Sequence, residues 1–182
     1  MSKSKTRIGV LASADTETAI RLESRLIELA REIAQRDWQL LTGATTGIPD
    51  RVSREVQRRG CLSIGISPAV NATEHVEKYG LPLDACDALI FTGFGLKGRN
   101  VILVRSSDIV VVVAGGMGTL NEFTIAVDEG KRVGVLTGTG GVADEIEKLT
   151  AHVRRPELVS FDSSPRRLIE KLEQPQKKPE TQ

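Results

Sequence analysis

The segment Gly115-Gly-Met-Gly-Thr-Leu-Asn-Glu122 carries the residue types best suited to chemistry. It follows directly on Ile109-Val-Val-Val-Val113, and Leu120, Phe123 and Val127 behind it recur at helical spacing. Gly115, Gly116 and Gly118 let the backbone approach a ligand closely and adopt positive φ. Free amides at a helix start, at the positive end of its dipole, favour an anion, and a phosphate is the natural occupant. Thr119 adds a hydroxyl donor. Glu122 lies about one turn into the helix. Its carboxylate repels a phosphate, so its use would be on another part of the ligand: receiving a hydroxyl, or acting on a carbon or a water. The other open reading is stabilisation of the helix start, worth about 0.3–1 kcal/mol.

Other patterns offer less. Gly93-Phe-Gly-Leu-Lys-Gly98 fits G-x-G-x-x-G but follows the fourth predicted strand rather than the first. It also lacks an acid about 20 residues on to hold a ribose. No G-x-x-x-x-G-K-[ST] phosphate loop is present. His75 and His152 stand apart from any metal-ligand spacing, so no metal site is expected. Asp84 and Asp87 beside Cys86 disfavour a thiolate. Trp38, just before a strand, reads as packing. Arg51, Arg54, Arg58 and Arg59 share one helix, read as a solvated face, with a subunit contact or an anion patch as the sharper alternative. Neither Lys97 nor Lys131 is set up as the Schiff-base lysine that pyridoxal phosphate needs.

The elements that must position these residues alternate strand and helix. Arg7–Ala12 reads as a short buried strand, and Asp15 to Arg36 as one long helix capped by Asp15 or Thr16. Strands are predicted at Gln39–Thr42, Leu62–Ile66 and Ala88–Thr92, with a helix from Pro49 to Arg59 closed by Gly60. Residues 69–86 show no regular pattern. Residues 93–98 read as a glycine-rich loop, and Arg99–Ser106 as a short helix. Ile109–Val113, β-branched throughout, reads as a central strand covered on both faces. Beyond it come a strand at Val133–Leu136, a glycine turn at Gly138–Gly141, a helix to His152, a strand at Leu158–Phe161 and a helix from Pro165. The whole predicts one α/β domain over residues 1–173, a doubly wound, mostly parallel, Rossmann-like sheet with helices on both faces and a disordered tail at 174–182. In such sheets ligands sit beyond the carboxyl ends of the strands, where the glycine clusters fall.

Composition narrows the classes. The chain of 182 residues has 25 Lys+Arg and 24 Asp+Glu, a formal net charge of +1. That balance argues against a nucleic-acid coat or a polybasic membrane binder. With 3% aromatics, stacking platforms for single strands are not expected. Two cysteines make no disulfide framework. No apolar run reaches the ~20 residues of a membrane helix, and no signal peptide is read at the start, so a cytoplasmic protein is expected.

Gly115-Gly-x-Gly-Thr-x-x-Glu122 resembles the P-G-G-x-G-T-x-x-E motif of the LOG family, often mislabelled lysine decarboxylases. Arg99, ahead of Ser107-Asp108 and the motif strand, takes the place of the family arginine, and the order Gly43–Gly47, helix, Gly60, Ile64–Pro68 is similar too. The resemblance spans most of residues 6–137. It implies binding of a nucleoside 5′-monophosphate and hydrolysis of its N-glycosidic bond to free base and ribose 5-phosphate, without a cofactor, in a homodimer or higher homo-oligomer. It implies catalytic roles for Arg99 and Glu122, phosphate binding by Gly115, Gly116, Gly118 and Thr119, and a nucleotide pocket lined by Ser13 and Gly43. Three positions depart from the pattern: Ala114 replaces the proline, Asn100 replaces the lysine after the arginine, and Thr42–Gly47 is poorer in glycine. These departures resemble a sister branch that includes molybdenum-cofactor carriers, which implies the alternative of a non-catalytic carrier or sensor of a nucleotide or phosphorylated cofactor.

Overall fold

The computed structural model describes residues 4–174. Residues 175–182, most of the predicted tail, lie outside the described residues. Seven strands form one parallel sheet: β1 (Arg7–Ala12), β2 (Gln39–Thr42), β3 (Ser63–Ser67), β4 (Ala88–Phe91), β5 (Ile109–Val113), β6 (Arg132–Leu136) and β7 (Val159–Asp162). Their order is β4-β3-β2-β1-β5-β6-β7. The helices are α1 (Thr16–Arg21), α2 (Glu23–Gln35), α3 (Ile48–Arg58), α4 (Ala72–Glu77), α5 (Gly95–Ser106), α6 (Met117–Asp128), α7 (Ile146–Leu149) and α8 (Pro165–Glu173). This is the doubly wound, Rossmann-like α/β fold.

The β5 valines show why both faces are covered. All five residues of β5 are buried. Val111 and Val113 pack into one core layer with Leu29, Ile33, Val52 and Leu168. Val110 and Val112 pack into the opposite layer with Leu103, Phe123 and Ala126. Successive side chains point to opposite faces of a strand, so a run without polar alternation requires helices above and below. The chain winds outward from β1 through β2 to β4, then returns to place β5 on the other side of β1. A crevice opens where the winding reverses, at the carboxyl ends of β1 and β5.

Four local expectations are corrected. The predicted helix 15–36 is two, because Leu22 (φ −99°, ψ 7°) leaves helical geometry while burying its side chain. The kink accompanies two anchors: Arg21 donates to Thr139 O, and Arg25 to Thr137 O, Gly138 O and Ser163 O. Residues 69–86 contain α4, capped by Asn71, whose Oδ1 accepts from Glu74 N at 2.9 Å while Glu74 Oε2 accepts from Val70 N at 2.7 Å. Residues 93–98 are not all loop, since α5 begins at Gly95 and Arg99 sits inside it. The helix expected to reach His152 is broken into 3₁₀ turns around the four-residue α7.

Candidate functional site

A cleft of about 340 Å³ opens at the β1/β5 crevice, within the size range of small-molecule sites. Ser13 and Ala14 enter it from the end of β1, Gly43 and Thr45 from the end of β2, Lys97, Arg99 and Asn100 from α5, and Gly116, Gly118, Thr119 and Glu122 from α6. The loops after β1 and β2 are tied together. Thr46 Oγ1 donates to Ala14 O at 2.8 Å, and Ile48 N donates to Ser13 O at 3.0 Å. Gly47 makes that approach possible: at φ +71°, a Cβ there would lie 2.4 Å from the Ala14 carbonyl carbon.

The turn between β5 and α6 is held from behind. Ala114 and Gly115 both take positive φ, +51° and +87°. Ala114 N donates to Thr139 Oγ1 at 2.9 Å, Val142 N donates to Gly115 O at 2.8 Å, and Ala143 N to Ala114 O at 3.2 Å. These bonds fix an alanine in a region that costs an L-residue about 1–2 kcal/mol. A Cβ on Gly115 would meet Thr119 Oγ1 at 2.2 Å, so the Thr119 side chain folds back over Gly115. Gly115 therefore shapes the turn and is not among the cleft-lining residues. Gly116 has open space where a Cβ would stand, and Gly118 has only Lys97 Nζ, at 4.0 Å. The first intrahelical amide to find an acceptor is Leu120 N, bonded to Gly116 O at 2.9 Å. Among the described residues, the amides of Met117, Gly118 and Thr119 have no acceptor, as the geometry of a helix N-terminus dictates. The turn is neither plugged nor turned away from the cleft.

Arg99 and Glu122 form the floor. Both are more than nine-tenths buried, and Arg99 Nη1 donates to Glu122 Oε1 at 2.8 Å. The guanidinium lies flat against Gly43, where a Cβ would come within 2.1 Å of Nη1. Asn100, also buried, satisfies its neighbours when its Nδ2 donates to both Glu122 Oε1 and Leu96 O at 2.9 Å. Oε1 is thus held by two donors. Oε2 has no bonded partner and is not sealed from solvent, so it is the oxygen offered to the cleft. Burial raises the Glu122 carboxyl to about 7, against the pull of Arg99 and Lys97. The same burial lowers Arg99, which the Glu122 charge partly offsets. A carboxyl that gains and loses a proton near neutrality can accept a hydrogen bond or serve as a general base.

Of the residues singled out in the sequence, Ser13, Gly43, Arg99, Gly116, Gly118, Thr119 and Glu122 meet around one cavity. Lys97, Asn100, Thr45, Pro49 and Leu96, none of them expected to line a pocket, join them. A helix starting at Gly95 would have placed 96, 97, 99 and 100 on adjoining faces; reading 93–98 as loop hid that spacing. The glycine turn at 138–141 takes no part, because Asp144 accepts its amides: Gly138 N at 2.6 Å and Gly140 N at 2.8 Å. His75 is wholly buried between Ser67 Oγ (2.8 Å from Nδ1) and Pro82 O (3.1 Å from Nε2). The α3 arginines are paired: Arg51 with Glu23, Arg54 with Asp50 and Asp84, and Arg58 and Arg59 with Glu55.

The model of the SLOG cluster4 family matches residues 5–171. An uncharacterized protein of Archaeoglobus fulgidus is 35% identical over 131 residues, covering 71% of this chain and 79% of that protein. Among solved structures, the molybdenum cofactor binding protein of the phototrophic bacterium Rippkaea orientalis is 32% identical. It superposes with a TM-score of 0.73 over 93% of this chain and 96% of its own. The molybdenum cofactor carrier protein of Chlamydomonas reinhardtii is 27% identical, with a TM-score of 0.74 over 93% and 98% of the two chains. No described helix is long and apolar enough to cross a membrane.

Proposed function

We propose, from the premise that this chain belongs to the SLOG cluster4 family, that it binds and carries a phosphorylated small molecule, a nucleotide or a phosphorylated cofactor of the molybdenum-cofactor kind. The observation that carries this reading is the pair of acceptor-free amides at Gly118 and Thr119, residues that line a cleft whose charged side chains are Lys97, Arg99 and Glu122. Two cations and one carboxyl leave that cleft positive, and the α6 dipole adds to it. The phosphate rests on the turn at Gly116–Thr119. The rest of the ligand extends toward Ser13, Gly43 and Thr45, with Pro49 and Leu96 as apolar walls. The molybdenum cofactor proteins among its relatives support the carrier form of this reading.

Phosphoribohydrolase activity is the second reading, and Glu122 Oε2 is the observation that favours it. With Oε1 held by Arg99 and Asn100, Oε2 is free to take a proton from water as that water attacks the anomeric carbon of a nucleoside 5′-monophosphate. The C–N electron pair would leave with the base, which then takes up a proton. Arg99 would hold the carboxyl in place, and its positive charge would disfavour the cationic ring of the transition state unless the phosphate and Glu122 offset it. Incubation with AMP followed by chromatography separates the readings. Saturable binding with AMP intact supports the carrier. Free adenine with ribose 5-phosphate, abolished in Glu122→Ala, supports the hydrolase. Absence of any phosphate-ligand binding refutes both. The homodimer or higher homo-oligomer remains a proposal, supported by exposed Ile90, Phe94 and Leu96 around β4 and the start of α5. Sedimentation analysis tests it, and a monomer at all concentrations refutes it.

A further inference from the structure

Lys97 has no assigned task, yet it stands at the mouth of the cleft. It belongs to the first turn of α5, and its Nζ lies 4.0 Å from where a Gly118 Cβ would be. Among the described residues it forms no ion pair, whereas Arg99, two residues on, is committed to Glu122. Its charge reaches the site, since it acts on the Glu122 carboxyl from across the cleft. An ammonium facing the open amides of α6 brackets the space between them from both sides. Arg99, the other cation lining the cleft, is held by Glu122, so among the described residues the unpaired positive charge there belongs to Lys97.

We propose that Lys97 and the amides of Gly118 and Thr119 form a two-sided clamp that selects a terminal phosphate monoester over a phosphodiester. The inference rests on the phosphate-binding reading above and adds the charge state of the ligand to it. The amides alone supply partial charges that suit any phosphate oxygen. A mobile ammonium adds a full charge and up to three donors, which reward a second negative charge on the same phosphorus. A diester carries one charge and has an ester group where the lysine would bond. Lys97 sits on the solvent side, exposed, so it can close on the ligand after entry with little rearrangement of the fold.

The test uses methyl phosphate and dimethyl phosphate, which differ by one charge and carry no base, titrated by NMR into the full chain at pH 7.5. The wild type is expected to prefer the monoester. Lys97→Met, which keeps the stem, is expected to weaken methyl phosphate about tenfold while leaving dimethyl phosphate nearly unchanged, the scale of one charged hydrogen bond. Lys97→Arg should restore most of the preference. Unchanged monoester binding in Lys97→Met overturns the clamp and leaves the phosphate site standing. A wild type that binds neither ester overturns the phosphate site itself. Lys97 is exposed and, among the described residues, makes no hydrogen bond or ion pair that Lys97→Met would remove, so loss of folding does not confuse the result.

Discussion

Gly43→Ala is the sharpest perturbation of the cleft floor. A Cβ at residue 43 would stand 2.1 Å from Arg99 Nη1, 2.4 Å from Cζ and 2.5 Å from Nη2. Ordinary contact needs about 3.5 Å, so the guanidinium must withdraw by roughly 1 Å or more. That movement lengthens the 2.8 Å bond from Nη1 to Glu122 Oε1 past hydrogen-bonding range. Removing one partner of a buried pair costs about 3–5 kcal/mol. Displacing Arg99 without deleting it should cost somewhat less, about 2–3 kcal/mol. For a chain of this length that is a fall in Tm of about 4–12 °C. Gly116→Ala is the matched control: a Cβ there meets nothing within 4 Å, so its Tm should stay within a degree or two of the wild type. Its methyl group would stand in the cleft, however, so ligand binding should drop. Scanning calorimetry on the three proteins reads the contrast. A Gly43→Ala protein with wild-type Tm would refute the reasoning that the guanidinium is wedged between Gly43 and Glu122.

Three further substitutions follow from the same geometry. Ala114→Gly should raise stability by about 0.5–1 kcal/mol in urea titration, because glycine removes the cost of φ +51° and loses part of the gain to chain entropy. Ala114→Pro should destabilise strongly, since proline fixes φ near −65° and deletes the amide bonded to Thr139 Oγ1. Glu122→Gln should change the pH dependence of stability. The folded carboxyl titrates at about 7, above its ordinary 4.5, so the folded state holds the proton more tightly and the wild type is favoured below pH 4.5. That advantage is lost as pH rises from 4.5 through 7, by about 3 kcal/mol in all, and the Tm difference between wild type and Glu122→Gln should fall over this window. A difference that stays constant from pH 5 to 8 would contradict the burial argument.

Much of the fold was legible because its strongest signals are local. Five β-branched residues at 109–113 require a strand buried on both faces, and the helix that follows places Thr119 and Glu122 beside the turn. Asp15, Pro49 and Gly60 mark helix ends where the structure has them, Asp15 Oδ2 accepting from Thr18 N at 2.7 Å. What stayed hidden depends on contacts distant in sequence. The break at Leu22 accompanies anchors on carbonyls more than 110 residues away. Helix α4 is too short to show a period, although Asn71 and Glu74 are spaced as a reciprocal cap. The glycines at 93, 95 and 98 disguised the first turn of α5, and with it Lys97. Ala114 was visible as a departure from the family proline. The structure holds Ala114 at φ +51°, which proline, fixed near −65°, cannot adopt.

The central claim is that the amides opening α6 grip a phosphoryl group. An ¹⁵N-resolved titration with inorganic phosphate tests it most directly. Saturable shifts are expected at Gly116, Met117, Gly118 and Thr119, with the Gly138 and Gly140 amides unmoved because Asp144 already accepts them. Shifts confined to the α3 arginine face, or none at all up to high phosphate concentration, would contradict it.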